Sequence, residues 1–117
     1  MEMEIYGPCA DNLPLILNDV LDRIKQLSST QVANGHPKLY EHLIGRVKAN
    51  DSMTEKCQRK GYPATPESAL RKCRDAVGIR VVCNFIDDVY RCIDLLRDAD
   101  WCTIVKEKDY IANAKPN

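Results

Sequence analysis

Neither sign of charge is in excess in this sequence. Its 117 residues carry 17 Lys+Arg and 17 Asp+Glu, a formal net charge of zero. A neutral chain has no general pull toward DNA, RNA or an anionic membrane, so any basic chemistry must be local. No apolar run is long enough to span a bilayer. No secretory signal opens the chain. The six cysteines include no CxxC, and the only histidines, His36 and His42, stand apart from them. These absences argue against a zinc site and a disulfide framework. The expectation is a cytoplasmic protein whose reduced cysteines act as small hydrophobes. Internal repeats and low-complexity segments are also missing.

What is present is a succession of short elements, in a length that suits one domain with a modest core. Asn12 is expected to cap a helix running to about Thr30, with Leu13, Ile16, Leu17, Val20, Ile24 and Leu27 at helical spacing. Asn34-Gly35 and Pro37 mark a turn. LYEHLIGRVK (39–48) shifts from helix-like to strand-like around Leu43. DSMTEKCQRK (51–60) is predicted helical, and its Ser52-x-x-Glu55 has the form of a capping box. A loop, GYPATP (61–66), precedes a short helix, ESALRKC (67–73), and a buried strand, AVGIRVVC. IDDVYRCIDLLRDA (86–99) is the clearest helix, and the pair Asp87–Asp88 is expected to cap it from Val89 on, stabilised by its dipole. WCTIVKEKDYIA (101–112) is predicted as a last strand. The expected fold is α+β (mixed α/β): a small mixed sheet flanked by helices, with residues 1–38 forming an N-terminal helix and turn.

One stretch resists a purely structural reading. In CRDAVGIRVVCNF (73–85), Arg80 interrupts an otherwise apolar strand. Alternation puts Gly78, Arg80 and Val82 on one face and Val77, Ile79, Val81 and Cys83 on the other. The second face is core. The first offers a glycine beside the guanidinium, leaving room for a ligand at the backbone. An edge strand with Arg80 paired to Asp75 or Asp87 is the structural alternative.

A second cluster lies upstream. Arg46 and Lys48 alternate on a strand end and face one way. In the helix that follows, Ser52, Lys56 and Arg59 fall at i, i+4 and i+7, while Met53 and Cys57 occupy a neighbouring, core-facing stripe. A strand feeding a helix N-terminus, with a hydroxyl and cations one and two turns on, suits a polyphosphate. A solvated helix face and a Ser52 cap would produce the same pattern. Asp75 is a candidate Mg²⁺ ligand, since hard cations take carboxylate oxygens and bridge to phosphates; a loop aspartate is the plain alternative.

GRVKxxxSxxEKxxRK, RDAVGIRVVCNFIDDVY and VKEKDYIANAKPN, in that order, resemble the synthetase domain of RelA/SpoT-type enzymes, the small alarmone synthetases or GTP pyrophosphokinases above all. The resemblance covers about residues 39–117. It implies a nucleotidyltransferase-like fold and transfer of pyrophosphate from ATP to the 3′-hydroxyl of GDP or GTP, with Mg²⁺, giving (p)ppGpp and AMP. Arg46 and Arg80 would stack on the two faces of adenine; Lys48, Ser52, Lys56 and Arg59 would hold the ATP phosphates; Asp75 would be catalytic and carry Mg²⁺. Lys115 would face the acceptor. ATP and GDP/GTP are the implied partners, without nucleic acid or membrane, and a homo-oligomer is compatible with the resemblance. Lys25 would suit an alarmone site between subunits, though His42 and Ile44 do not form a nucleobase-stacking pair.

The family's pattern continues past KPN with Gly-Tyr-Arg-Ser and a later glutamate, which this sequence does not contain. The expectation is therefore the ATP half of the domain, unable alone to make alarmone. A non-catalytic nucleotide-binding or interaction module is the alternative, and a related nucleotidyltransferase using Asp75 in a metal pair a third reading.

Overall fold

A computed structural model describes residues 4–113 of the chain; Lys115 lies outside them. A single turn of 3-10 helix at Gly7–Cys9 leads into α1 (Asn12–Ala33), followed by β1 (His42–Val47), α2 (Asn50–Arg59), a π-helical turn at Ser68–Cys73, β2 (Val77–Val82) and α3 (Ile86–Asp98). The helices fall where apolar residues recur at helical spacing, and both strands fall in the β-branched runs. Among the described residues no helix is long and apolar enough to cross a membrane.

The sheet consists of β1 and β2, antiparallel, with His42 opposite Val82, Ile44 opposite Arg80, Arg46 opposite Gly78 and Val47 opposite Val77. Opposed residues in such a ladder project from the same face. Ile44, Arg46, Gly78 and Arg80 therefore share one face. Leu43, Gly45, Val47, Ile79 and Val81 share the other, on which α1 lies. The approach is close at Gly45, where an added Cβ would stand 2.6 Å from a Leu17 methyl and 3.1 Å from one of Leu21. Ile24 and Leu39 are buried nearby, and Ser28 Oγ, also buried, accepts the Leu39 amide at 3.1 Å.

The main core lies at the far end of the sheet. Ile5, Tyr6, Leu13, Met53, Cys57, Ala69 and Ala76 form one buried cluster, with Val47, Leu70, Cys73 and Val77 packed against it. Met53 and Cys57 are its α2 members, as their stripe requires. Ile16, placed on the apolar stripe of α1 by spacing alone, is half exposed, because the covered surface is too narrow to reach it.

Several expectations fail. Asn12 is the first helical residue of α1 and not its cap, which is Asp11, without a side-chain bond. β2 is not a buried strand: none of its residues is fully buried, and Arg80 and Val82 are exposed. The capping box does not form: α2 begins one residue before Asp51, its N-cap is Ala49, and no side chain caps it. Ser52 is thus a helical residue, where its hydroxyl cannot act as N-cap. Residues 101–112 form no strand, because a strand needs a partner and this segment binds α3 instead. Arg97 holds both carboxylate oxygens of Glu107 at 2.6 and 2.7 Å, and the Tyr90 hydroxyl donates to Asp109 at 2.9 Å. Asp87 and Asp88 lie inside the first turn of α3, after the N-cap Phe85, and favour its dipole without a capping bond.

Candidate functional site

The open face of the sheet carries the first part of the site. Ile44, Gly45, Arg46, Gly78, Ile79 and Arg80 line a shallow recess of about 420 Å³, within the range of ~300–1,000 Å³ usual for small-molecule sites. Arg46 and Arg80 are exposed, and neither makes an ion pair among the described residues. The pairing of Arg80 with Asp75 or Asp87 is therefore not what holds it. The two arginines are diagonal neighbours in the ladder, since Arg46 faces Gly78 and Ile44 faces Arg80. Diagonal positions lie about 7–8 Å apart. A planar ring sandwiched between two guanidinium planes needs about 3.5–4.0 Å on each side, so the spacing suits one aromatic ring. Gly78, between them, leaves the floor bare: a Cβ there would meet nothing within 4 Å.

The second part begins where β1 ends. The Lys48 amide donates to the Ala76 carbonyl at 2.7 Å, extending the ladder by one step. By alternation Lys48 follows Arg46 on the same side. Its carbonyl accepts the Tyr6 hydroxyl at 2.6 Å, and Asn50 Oδ1 accepts the Ile5 amide at 2.6 Å. The N-terminal segment thereby fixes the turn from β1 into α2. Burial, followed by the nearby Asp75 charge, pushes the Tyr6 phenol up to about 12.

Asp75 sits just before β2, facing this turn. Lys56 Nζ is 2.6 Å from its Oδ2 and Lys48 Nζ is 3.5 Å from the same atom. Burial works to raise the Asp75 carboxyl, but the Lys56 hydrogen bond and the charges of both lysines outweigh it and leave it below its ordinary value. Oδ1 is buried without a hydrogen-bond partner. Two cations thus share one carboxylate oxygen while its twin has none. An incoming polyanion would compete with Asp75 for these two ammonium groups.

The structure thus brings together Arg46 with Arg80, and Lys48 with Lys56 and Asp75. Ser52 and Arg59 are exposed on α2, in its first turn and at its last residue, and make no side-chain bond with the others. Sequence reasoning missed Tyr6, Asn50 and Ile44. Ile44 was visible in the alternation of β1, but the two contacts of the N-terminal segment span 42 and 45 residues and have no local signature.

Residues 45–117 match the family described as a region found in RelA/SpoT proteins, and the chain belongs to that family. It is 36% identical over 101 residues to the GTP pyrophosphokinase YwaC of Bacillus subtilis, an alignment covering 85% of this chain and 48% of YwaC. A GTP pyrophosphokinase family protein from Streptococcus pneumoniae superimposes with a TM-score of 0.84 at 26% identity, covering 98% of this chain and 55% of that one. The small alarmone synthetase 1 of B. subtilis, solved with its product pppGpp, superimposes with a TM-score of 0.75 at 26% identity, covering 88% and 52%. The chain spans about half the length of these relatives.

Proposed function

We propose that the protein is the donor-nucleotide part of a GTP pyrophosphokinase, which transfers the terminal pyrophosphate of ATP to the 3′-hydroxyl of GDP or GTP. The observation that carries this reading is the pair Arg46 and Arg80 on one open face, continued by Lys48 and Lys56 around Asp75. Adenine stacks between the two guanidinium groups, a role that suits a planar cation better than an ammonium. Lys48 and Lys56 exchange Asp75 for the phosphates, and Ser52 and Arg59 extend the same cationic track along α2. Charge gathered at the transferred group stabilises a transition state that is mainly electrostatic. Lys115 is assigned to the acceptor side.

A magnesium ion belongs to this reading. Among the described residues no group of three or more His, Cys, Asp or Glu could enclose a metal. Asp75 Oδ1, buried and unpartnered, fits a hard cation that keeps few protein ligands and takes the rest from phosphate and water. Bound there, the ion would draw charge from the phosphate oxygens. Asp75 would then turn from the two lysines, which the phosphates take up, to the metal. The reading places the protein in the cytoplasm, where its nucleotide substrates are.

Calorimetric titration with Mg·ATP tests the proposal. Binding should weaken with rising salt, and Lys56→Ala should reduce it by roughly 1–3 kcal/mol, the worth of a charge-assisted hydrogen bond. Equal affinity in both proteins would remove Lys56 from the site.

A further inference from the structure

Two sulfurs adjoin the Lys56–Asp75 pair without taking part in it. Cys57 Sγ and Cys73 Sγ are 3.7 Å apart. Cys57 is fully buried on α2 and Cys73 half-buried at the end of the π turn. Each is tied by the chain to one member of the ion pair: Lys56 precedes Cys57, and Asp75 follows Cys73 by two residues, across Arg74 in a left-handed conformation at φ 61°. All six cysteines are free thiols.

We propose that Cys57 and Cys73 are a redox modification site: a peroxide joins them in a reversible disulfide that holds Lys56 against Asp75. A disulfide requires the sulfurs at about 2.05 Å, so α2 and the π turn need to close by well under the width of one atom. Cys73, the more exposed thiol, attacks hydrogen peroxide, becoming a sulfenic acid and releasing one water. The Cys57 thiol then displaces the sulfenic hydroxyl, its proton leaving with that hydroxyl as a second water, and the S–S bond forms. Two thiols are oxidised and one peroxide is reduced. Cys57 is buried and Cys73 is not, so peroxide reaches Cys73 first, and Cys57 meets only the sulfenic acid beside it. A dithiol reverses the bond by exchange. With α2 pinned at Cys57, Lys56 has less freedom to leave Asp75 for another anion. The consequence for ATP rests on the donor-site reading above; the disulfide itself does not.

The test uses the full chain, reduced and then exposed to hydrogen peroxide, alkylated under denaturing conditions, digested and mapped by mass spectrometry. Cys57 and Cys73 should lose alkylation together, appear as one cross-linked peptide pair, and recover with dithiothreitol. In Cys73→Ser, Cys57 should stay alkylated. Continued alkylation of both cysteines in the oxidised protein, or their linkage to other cysteines, would overturn the proposal. Acylation of Lys56 should slow in the oxidised form, and an unchanged rate would overturn the locking. ATP should bind the oxidised form about tenfold more weakly, matching the loss of one charge-assisted hydrogen bond; equal affinity would also count against locking. If the reduced protein does not bind ATP at all, the donor-site reading fails, while the peptide map and Lys56 reactivity still decide the disulfide.

Discussion

At Asp75 a single carboxylate oxygen meets Lys56 at 2.6 Å and Lys48 at 3.5 Å, and the balance of charge there governs the acid stability of the fold. The folded carboxyl titrates below its ordinary value, so the native state favours the ionised form. That contribution is complete above the unfolded value of about 3.9 and disappears as pH falls through the folded one. Asp75→Asn should therefore flatten the acid limb of the urea midpoint plotted against pH. At neutral pH it should cost about 1 kcal/mol, less than a deeply buried pair, because the Asp75 side chain is 39% exposed. An acid limb as steep as the wild type's would mean that the lysines contribute nothing. Tyr6 sets the opposite limit. Its neutral phenol is favoured up to about 12, so the stability it carries is complete below about 10 and lost as pH climbs through the folded value. Spectrophotometric titration should show a tyrosine ionising near 12 that is missing from Tyr6→Phe; an unchanged curve would place the late titration elsewhere.

Among the elements, the two strands carry glycines with opposite functions on opposite faces. Gly45 is pressed by Leu17 and Leu21 of α1, whereas Gly78 faces open space. Gly45→Ala should destabilise by about 1–2 kcal/mol, since a methyl group there forces the leucines aside. Gly78→Ala should leave thermal stability near the wild type and weaken ATP binding by filling the floor between Arg46 and Arg80. Measured melting temperatures and ATP affinities separate the two. If Gly78→Ala bound ATP as well as the wild type, the base would not lie on that floor. The alternation that distinguishes these faces was legible in AVGIRVVC, and it is why Arg80 could be read as facing outward. It could not show that α1 covers the other face, since that packing joins elements distant in sequence.

In the molecule as a whole, local periodicity was legible and pairing across distance was not. Helical spacing located α1, α2 and α3, and β-branched runs located β1 and β2. Ser52-x-x-Glu55 looked like a cap, but α2 starts at Asn50 because the chain enters it from a strand fixed by Tyr6 and Asn50. Residues 101–112 have the composition of a strand, yet a ladder is a property of two segments, and Arg97 and Tyr90 of α3 bind this one through Glu107 and Asp109. Of the candidate site, alternation put Arg46 beside Lys48 and helical spacing put Lys56 on one stripe with Ser52 and Arg59, but neither could show that Lys48 and Lys56 meet at Asp75 or that Arg80 lies diagonally across the ladder from Arg46. Ser52 and Arg59 share their stripe with Lys56, but a stripe says nothing about which side chains reach a common partner.

The central claim is that ATP lies on the open face of the two-stranded sheet, and amide chemical shifts recorded during an Mg·ATP titration test it most directly. The account predicts that the largest shifts fall on residues 44–48 and 76–80 and on the side chains of Arg46 and Arg80. Shifts confined to the outer faces of α1 and α3, with the sheet unmoved at saturating ATP, would contradict it.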